Sequence, residues 1–88
     1  MKVSIIVPVY NVSAYIDNCI ASIMKQTYQD IECIIVNDAS TDDSISKCER
    51  MIGGYKGSIK FSIIHHKYNR GISAARNTGL DAASGIYV

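Results

Sequence analysis

Ile31-Glu32-Cys33-Ile34-Ile35-Val36 runs directly into Asn37-Asp38-Ala39-Ser40-Thr41-Asp42-Asp43, and this junction decides the fold. The first half is short, nearly continuous in apolar residues and rich in β-branched ones, the pattern of a strand buried on both faces. The second half is polar and ends on the hydroxyls and acids that commonly begin helices. A buried strand that breaks into polar residues and then a helix is the repeating step of a parallel α/β sheet.

The same step recurs on either side. Val3 to Val7 is another apolar strand-like run, stopped by Pro8, and Ile59 to Ile64 is a weaker third. Between the first two runs, Ile16, Cys19, Ile20, Ile23 and Met24 carry the spacing that lines one side of a helix, with Ser13 or Asn11 placed to cap its start. In the next connection Ser40-Thr41-Asp42-Asp43 offers a capping side chain with an acid three positions on. Ile45, Cys48 and Ile52 continue at helical spacing until Gly53-Gly54. Ile72 to Ala83 is alanine-rich with Gly85 just beyond, which predicts a third helix packed closely on the sheet, and Ile86-Tyr87-Val88 opens a fourth strand. The predicted architecture is α/β: a Rossmann-like parallel sheet in the order β-α-β-α-β-α-β, with helices on both faces. Because an interior-type strand has barely begun at Val88, residues 1–88 are expected to be a single partial domain, the N-terminal piece of a longer protein.

Composition removes several classes of function. Eighty-eight residues make one small domain. A formal charge of +1 lacks the basic excess of an electrostatic nucleic-acid binder, so no nucleic acid partner is expected. Three cysteines at wide spacing, without a CxxC pair, form neither a disulfide framework nor a zinc site and fit a reduced, cytoplasmic setting. No apolar run approaches the roughly 20 residues that span a bilayer.

In open parallel sheets, ligands bind outside the carboxyl ends of the strands. Three polar segments fall there: Pro8-Val9-Tyr10-Asn11, Asn37 to Asp43, and His66-Lys67-Tyr68-Asn69-Arg70-Gly71. Tyr10 can stack on a planar ring or pack as an amphipathic ring at the sheet edge. Asp38 can accept hydrogen bonds from a base or ribose, or serve a turn through its own backbone. Asp42 and Asp43 read as helix-start charges. His66, Lys67, Arg70 and Arg76 form a basic group suited to phosphates or to solvent. His65 and His66 are successive on a strand and diverge, which argues against joint metal ligation. The turn after the first strand lacks the glycines of a dinucleotide-binding loop, and the chain holds neither a P-loop nor a nucleophile elbow. A bound diphosphate would therefore need a metal or side chains to neutralise it.

Val3 to Asn11, Glu32 to Ser44 and Asn69-Arg70-Gly71-Ile72-Ser73-Ala74-Ala75-Arg76-Asn77-Thr78-Gly79, in this order and spacing, resemble the family 2 glycosyltransferases. The resemblance covers essentially the whole chain. It implies a partial GT-A fold whose nucleotide-binding half takes a nucleotide-diphosphate sugar donor and passes the sugar to the hydroxyl of a saccharide acceptor, in bacterial polysaccharide synthesis. It places Pro8, Val9 and Tyr10 along the base and ribose, Asp38 on the base, and Asn69, Gly71 and Arg76 around the nucleotide and its phosphates. The family's Asp-x-Asp motif, which holds Mn or Mg on the diphosphate, follows the fourth strand. Its ligands and the catalytic base are thus not in this chain, no catalytic residue is assigned here, and the fragment alone is expected to be inactive. The resemblance also allows a peripheral place at the inner membrane face.

Two other readings remain at this point. One is a non-catalytic Rossmann-like nucleotide-binding module, which would bind without any metal dependence. The other is a structural fragment that dimerises through its open sheet edge. Asp38→Ala is expected to lower nucleotide affinity by more than it lowers stability if Asp38 meets the base.

Overall fold

The computed structural model describes residues 2–87. Seven elements alternate: β1 (Val3–Val9), α1 (Ser13–Met24), β2 (Ile31–Asn37), α2 (Ser44–Gly53), β3 (Lys60–His65), α3 (Ile72–Ala82) and β4 (Ile86–Tyr87). The four strands are parallel and ordered β3-β2-β1-β4. Val88, the expected continuation of β4, lies outside the described residues.

The two faces of the sheet follow from the two-residue period of a strand. Cys33 and Ile35 of β2, flanked by Ile5 and Val7 of β1 and Phe61 and Ile63 of β3, pack against Ile16, Ile20 and Ile23 of α1 and Cys48 of α2. Ile34 and Val36 point the other way and pack with Ala75 of α3. Helices therefore cover both faces, α1 and α2 on one and α3 on the other. Burial pushes the Cys33 thiol up to about 12 and that of Cys48 up to about 11, so both stay protonated as small core hydrophobes. Gly79 lets α3 settle onto β1, since a Cβ there would come within 2.4 Å of the Ile6 Cγ2 methyl.

Three local expectations change. β1 does not stop at Pro8 but continues to Val9, paired with Asn37. Val3 donates its N–H to Asp30 O and Val9 O accepts from Asp38 N, so odd residues of β1 bond to β2 and even ones face β4. Pro8 is even, so its missing N–H leaves the β1–β2 ladder intact. Cys19, expected on the buried side of α1, is exposed. Gly85 does not cap α3; the helix ends at Ala83 in extended backbone.

Capping also differs from the local pattern, because the start of α2 caps α1. Neither N-cap residue, Val12 or Asp43, uses its own side chain. Instead Ser44 Oγ accepts from Val12 N at 2.9 Å and Asp42 Oδ2 from Ser13 N at 3.2 Å, which satisfies the orphan donors of α1 from the start of α2. Asn11, held at φ 51, accepts from Thr41 N at 2.8 Å in the approach to α2, whose own Ser44 N donates to Asp42 Oδ1 at 3.0 Å. Asp42 and Asp43 are thus helix-start acids, as expected, but they serve two helices.

At the opposite end, Glu32 ties β2 to the approach of β4. Its Oε2 accepts from Ser4 Oγ and from Ser84 N and Oγ at 2.7 and 2.9 Å, while Gly85 N donates to Ser4 Oγ at 3.0 Å. These bonds, that from Ser4 first, hold the Glu32 carboxyl at about 2 against an ordinary 4.5. A depressed folded-state value makes this contribution complete above about 4.5, and it is lost as the pH falls toward 2. Urea unfolding at pH 7, 4.5 and 3 is expected to show stability falling between the last two, and Glu32→Gln to flatten that fall. An equal acid slope in both proteins would contradict the assignment.

Candidate nucleotide-binding cleft

The carboxyl ends of β1 and β2 and the first turn of α3 enclose a cleft of about 350 Å³, lined by Pro8, Val9, Tyr10, Val12, Asp38, Asn69, Gly71, Ile72 and Ala75. Six of the seven residues singled out from sequence meet here: Pro8, Val9, Tyr10, Asp38, Asn69 and Gly71. Arg76 does not line it; it is exposed on α3. Val12, Ile72 and Ala75 were not singled out. They contribute apolar wall.

Asp38 is the polar centre of this cleft. It follows the last residue of β2, is only 3% exposed, and is succeeded by Ala39 at φ 61, which turns the chain away. Asp38 Oδ1 accepts from Arg70 N and from His66 Nδ1, both at 2.8 Å, and Oδ2 accepts from Gly71 N at 2.8 Å. Burial pushes this carboxyl up, but the His66, Arg70 and Gly71 bonds outweigh it and hold it below its ordinary value. The group is therefore an ionised, acceptor-only carboxylate. Of its roughly four lone-pair positions three are filled, which leaves one on Oδ2. The two sequence readings of Asp38 are joined in one group: it organises a turn, that of the β3–α3 loop rather than its own, and it also lines the cleft.

The loop is shaped to reach this carboxylate. Gly71 lies at φ 93 and ψ 163, a region essentially restricted to glycine, and there its N–H meets Asp38. No atom would obstruct a Cβ, so Gly71→Ala tests backbone strain alone. It is expected to cost about 1–3 kcal/mol, read by chemical denaturation. Asn69 adds a longer bond, 3.4 Å, from Nδ2 to Asp38 O.

The basic group reads differently in three dimensions. His66 turns inward, its side chain 5% exposed, with Nδ1 on Asp38 and Nε2 2.8 Å from Thr78 Oγ1. It is thereby withdrawn from any phosphate. His65 instead bonds Asn37 Nδ2 through Nδ1 at 3.0 Å, so the two imidazoles diverge as expected. Lys67, Arg70 and Arg76 remain exposed.

The residues present do not fit a divalent cation. Among the described residues no three His, Cys, Asp or Glu side chains are grouped to hold one. The Asp38 oxygens face N–H donors, and Asp42 and Asp43 are engaged with Ser13 and Ser44.

A cleft at the carboxyl edge of a parallel sheet is where α/β domains of this type bind their ligands. The sequence profile of Glycosyl transferase family 2 matches residues 4–88, and the chain belongs to this family. It is 45% identical over 93 residues to Glycosyltransferase GlyA of Streptococcus pneumoniae, covering 99% of this chain and 12% of GlyA. The mannosyltransferase PcManGT of Pyrobaculum calidifontis, solved with GDP-Man and Mn2+, superposes with a TM-score of 0.88 at 29% identity, over 94% of this chain and 24% of its own. S. aureus TarS 1-349 with UDP-GlcNAc gives 0.83 at 30% identity, over 100% and 26%. The chain thus has the fold of GT-A glycosyltransferases and spans about a quarter or less of these relatives. Among the described residues, no helix is long and apolar enough to cross a membrane.

Proposed function

We propose that residues 1–88 are the donor-binding part of a longer glycosyltransferase, which transfers a sugar from a nucleotide-diphosphate sugar to an acceptor hydroxyl in glycan synthesis. The observation that carries this is the cleft itself, in which an ionised carboxylate with one free acceptor position is set among Pro8, Val9 and Tyr10 and the start of α3. Tyr10, 47% exposed, offers an aromatic surface to a base beside that carboxylate.

An acceptor-only group requires a donor on its ligand. Uracil presents a ring N3–H and guanine a ring N1–H, whereas cytosine and adenine present an acceptor ring nitrogen beside an exocyclic amino donor. The proposed donor carries uracil or guanine, whose ring N–H meets the carboxylate without setting an acceptor nitrogen against it, in keeping with the UDP-GlcNAc and GDP-Man bound by the two similar structures. The base and ribose are held by this chain's own residues. Neutralising the diphosphate and deprotonating the acceptor fall to parts of the enzyme beyond it, and the isolated 88 residues are expected to show no transfer.

Titration calorimetry of the full-length protein with UDP, GDP and CDP tests the reading. UDP or GDP should bind at least about tenfold more tightly than CDP, the difference made by one buried hydrogen bond to a charged acceptor. Equal binding of all three, or none, would overturn it.

A further inference from the structure

We propose that His66 and Thr78 are positioning residues for donor recognition, forming a relay that fixes the Asp38 carboxylate and through it the choice of base. The inference rests on the proposed role of Asp38. It begins from the backbone, where His66 N donates to Asn37 O at 2.8 Å and carries the β2–β3 ladder one step past the end of β3. That step sets the imidazole beside Asp38, the next residue after Asn37. Nδ1 then lies 2.8 Å from Asp38 Oδ1, and an ionised carboxylate can only accept, so Nδ1 carries the proton. On the far side Nε2 lies 2.8 Å from Thr78 Oγ1, on α3. A hydroxyl has one hydrogen, so Thr78 Oγ1 either accepts from Nε2–H while donating to Ala74 O, or turns its hydrogen to a bare Nε2 and gives up that helix bond.

The ring is consequently pinned at both nitrogens between the end of the sheet and α3. Its orientation determines which Asp38 lone pairs are consumed: with Arg70 N it takes both on Oδ1, which leaves the open acceptor on Oδ2. Without His66 the carboxylate has two open positions, one on each oxygen, and a single preferred donor on the base is no longer specified. The order Asp, His, hydroxyl is also that of an activated nucleophile, but Thr78 Oγ1 donates to Ala74 O at 3.0 Å within its own helix and lies outside the cleft lining. Positioning is the role the contacts support.

The test measures discrimination, which a purely structural role would not change. In the full-length protein, Kd is measured for CDP and for whichever of UDP and GDP the wild type prefers, in His66→Leu, His66→Asn and Thr78→Val. His66→Leu should reduce the preference by about tenfold, the worth of one charge-assisted bond. His66→Asn, whose Nδ2 can replace Nδ1 as donor to Asp38, should stay close to wild type. Thr78→Val should fall between them and carries the test if His66→Leu does not fold. A preference unchanged in His66→Leu or Thr78→Val overturns the relay while leaving the donor reading intact; a uniform loss for all nucleotides, as from a phosphate-binding His66, does the same. No preference in the wild type removes both.

Discussion

Asp38→Ala is expected to destabilise the domain by about 2–5 kcal/mol, because it strands the Arg70 and Gly71 N–H groups and His66 Nδ1 without their shared acceptor. Each buried donor left unpaired costs about 1–3 kcal/mol, offset in part by water that enters the opened cleft. Against a total stability of about 5–15 kcal/mol for a small domain, this is a large fraction. Nucleotide binding should disappear with it, since the β3–α3 loop forms one wall of the cleft. The sequence-based expectation that affinity falls by more than stability therefore no longer separates the two roles of Asp38, as one carboxylate carries both. Urea unfolding of wild type and variant gives the number. A loss below about 1 kcal/mol would mean that the loop is held by other contacts.

Ile20→Ala should cost about 2–5 kcal/mol. Ile20 is fully buried in the larger core, where α1 and α2 meet the sheet. Truncation removes three methyl or methylene groups from a site enclosed by the rigid sheet on one side and α2 on the other, leaving little scope for collapse. Thermal and urea unfolding should agree on the loss while the cleft, whose lining does not include Ile20, keeps its nucleotide affinity in the fraction still folded. A near-neutral result would mean that α1 turns a different face inward.

These two residues mark how far the sequence could be read. Ile20 was legible because its signal is local: the spacing of Ile16, Ile20 and Ile23 names the buried side of α1 without any tertiary information. Cys19 broke the same pattern, because the stripe is wide enough for its edge to emerge from the core. The strands were legible in the same way, and Pro8 misled only because the consequence of a missing N–H depends on which neighbour that edge faces. Around Asp38, proximity to the strand end identified the residue and the segments that meet it, as a parallel sheet brings its carboxyl ends together. Its partners were hidden. His66 lies 28 positions away and was grouped by charge with Lys67 and Arg70, and no local rule distinguishes a histidine aimed inward from one aimed at solvent. The same limit conceals the capping of α1 by the start of α2, which runs across some 30 residues, and the Glu32–Ser4–Ser84 cluster, where a lone acid in an apolar strand gives no hint of its donors. Arg76 shows the converse. Its motif is clear, yet its helical position directs it away from the cleft lining.

The most direct test of the account is a crystal structure of the full-length protein with UDP or GDP, whichever binds more tightly. The base should lie between Tyr10 and the first turn of α3, with its ring N–H within hydrogen-bonding distance of Asp38 Oδ2 and the His66 contact to Oδ1 intact. A nucleotide bound elsewhere, or a base that leaves Asp38 untouched, would contradict it.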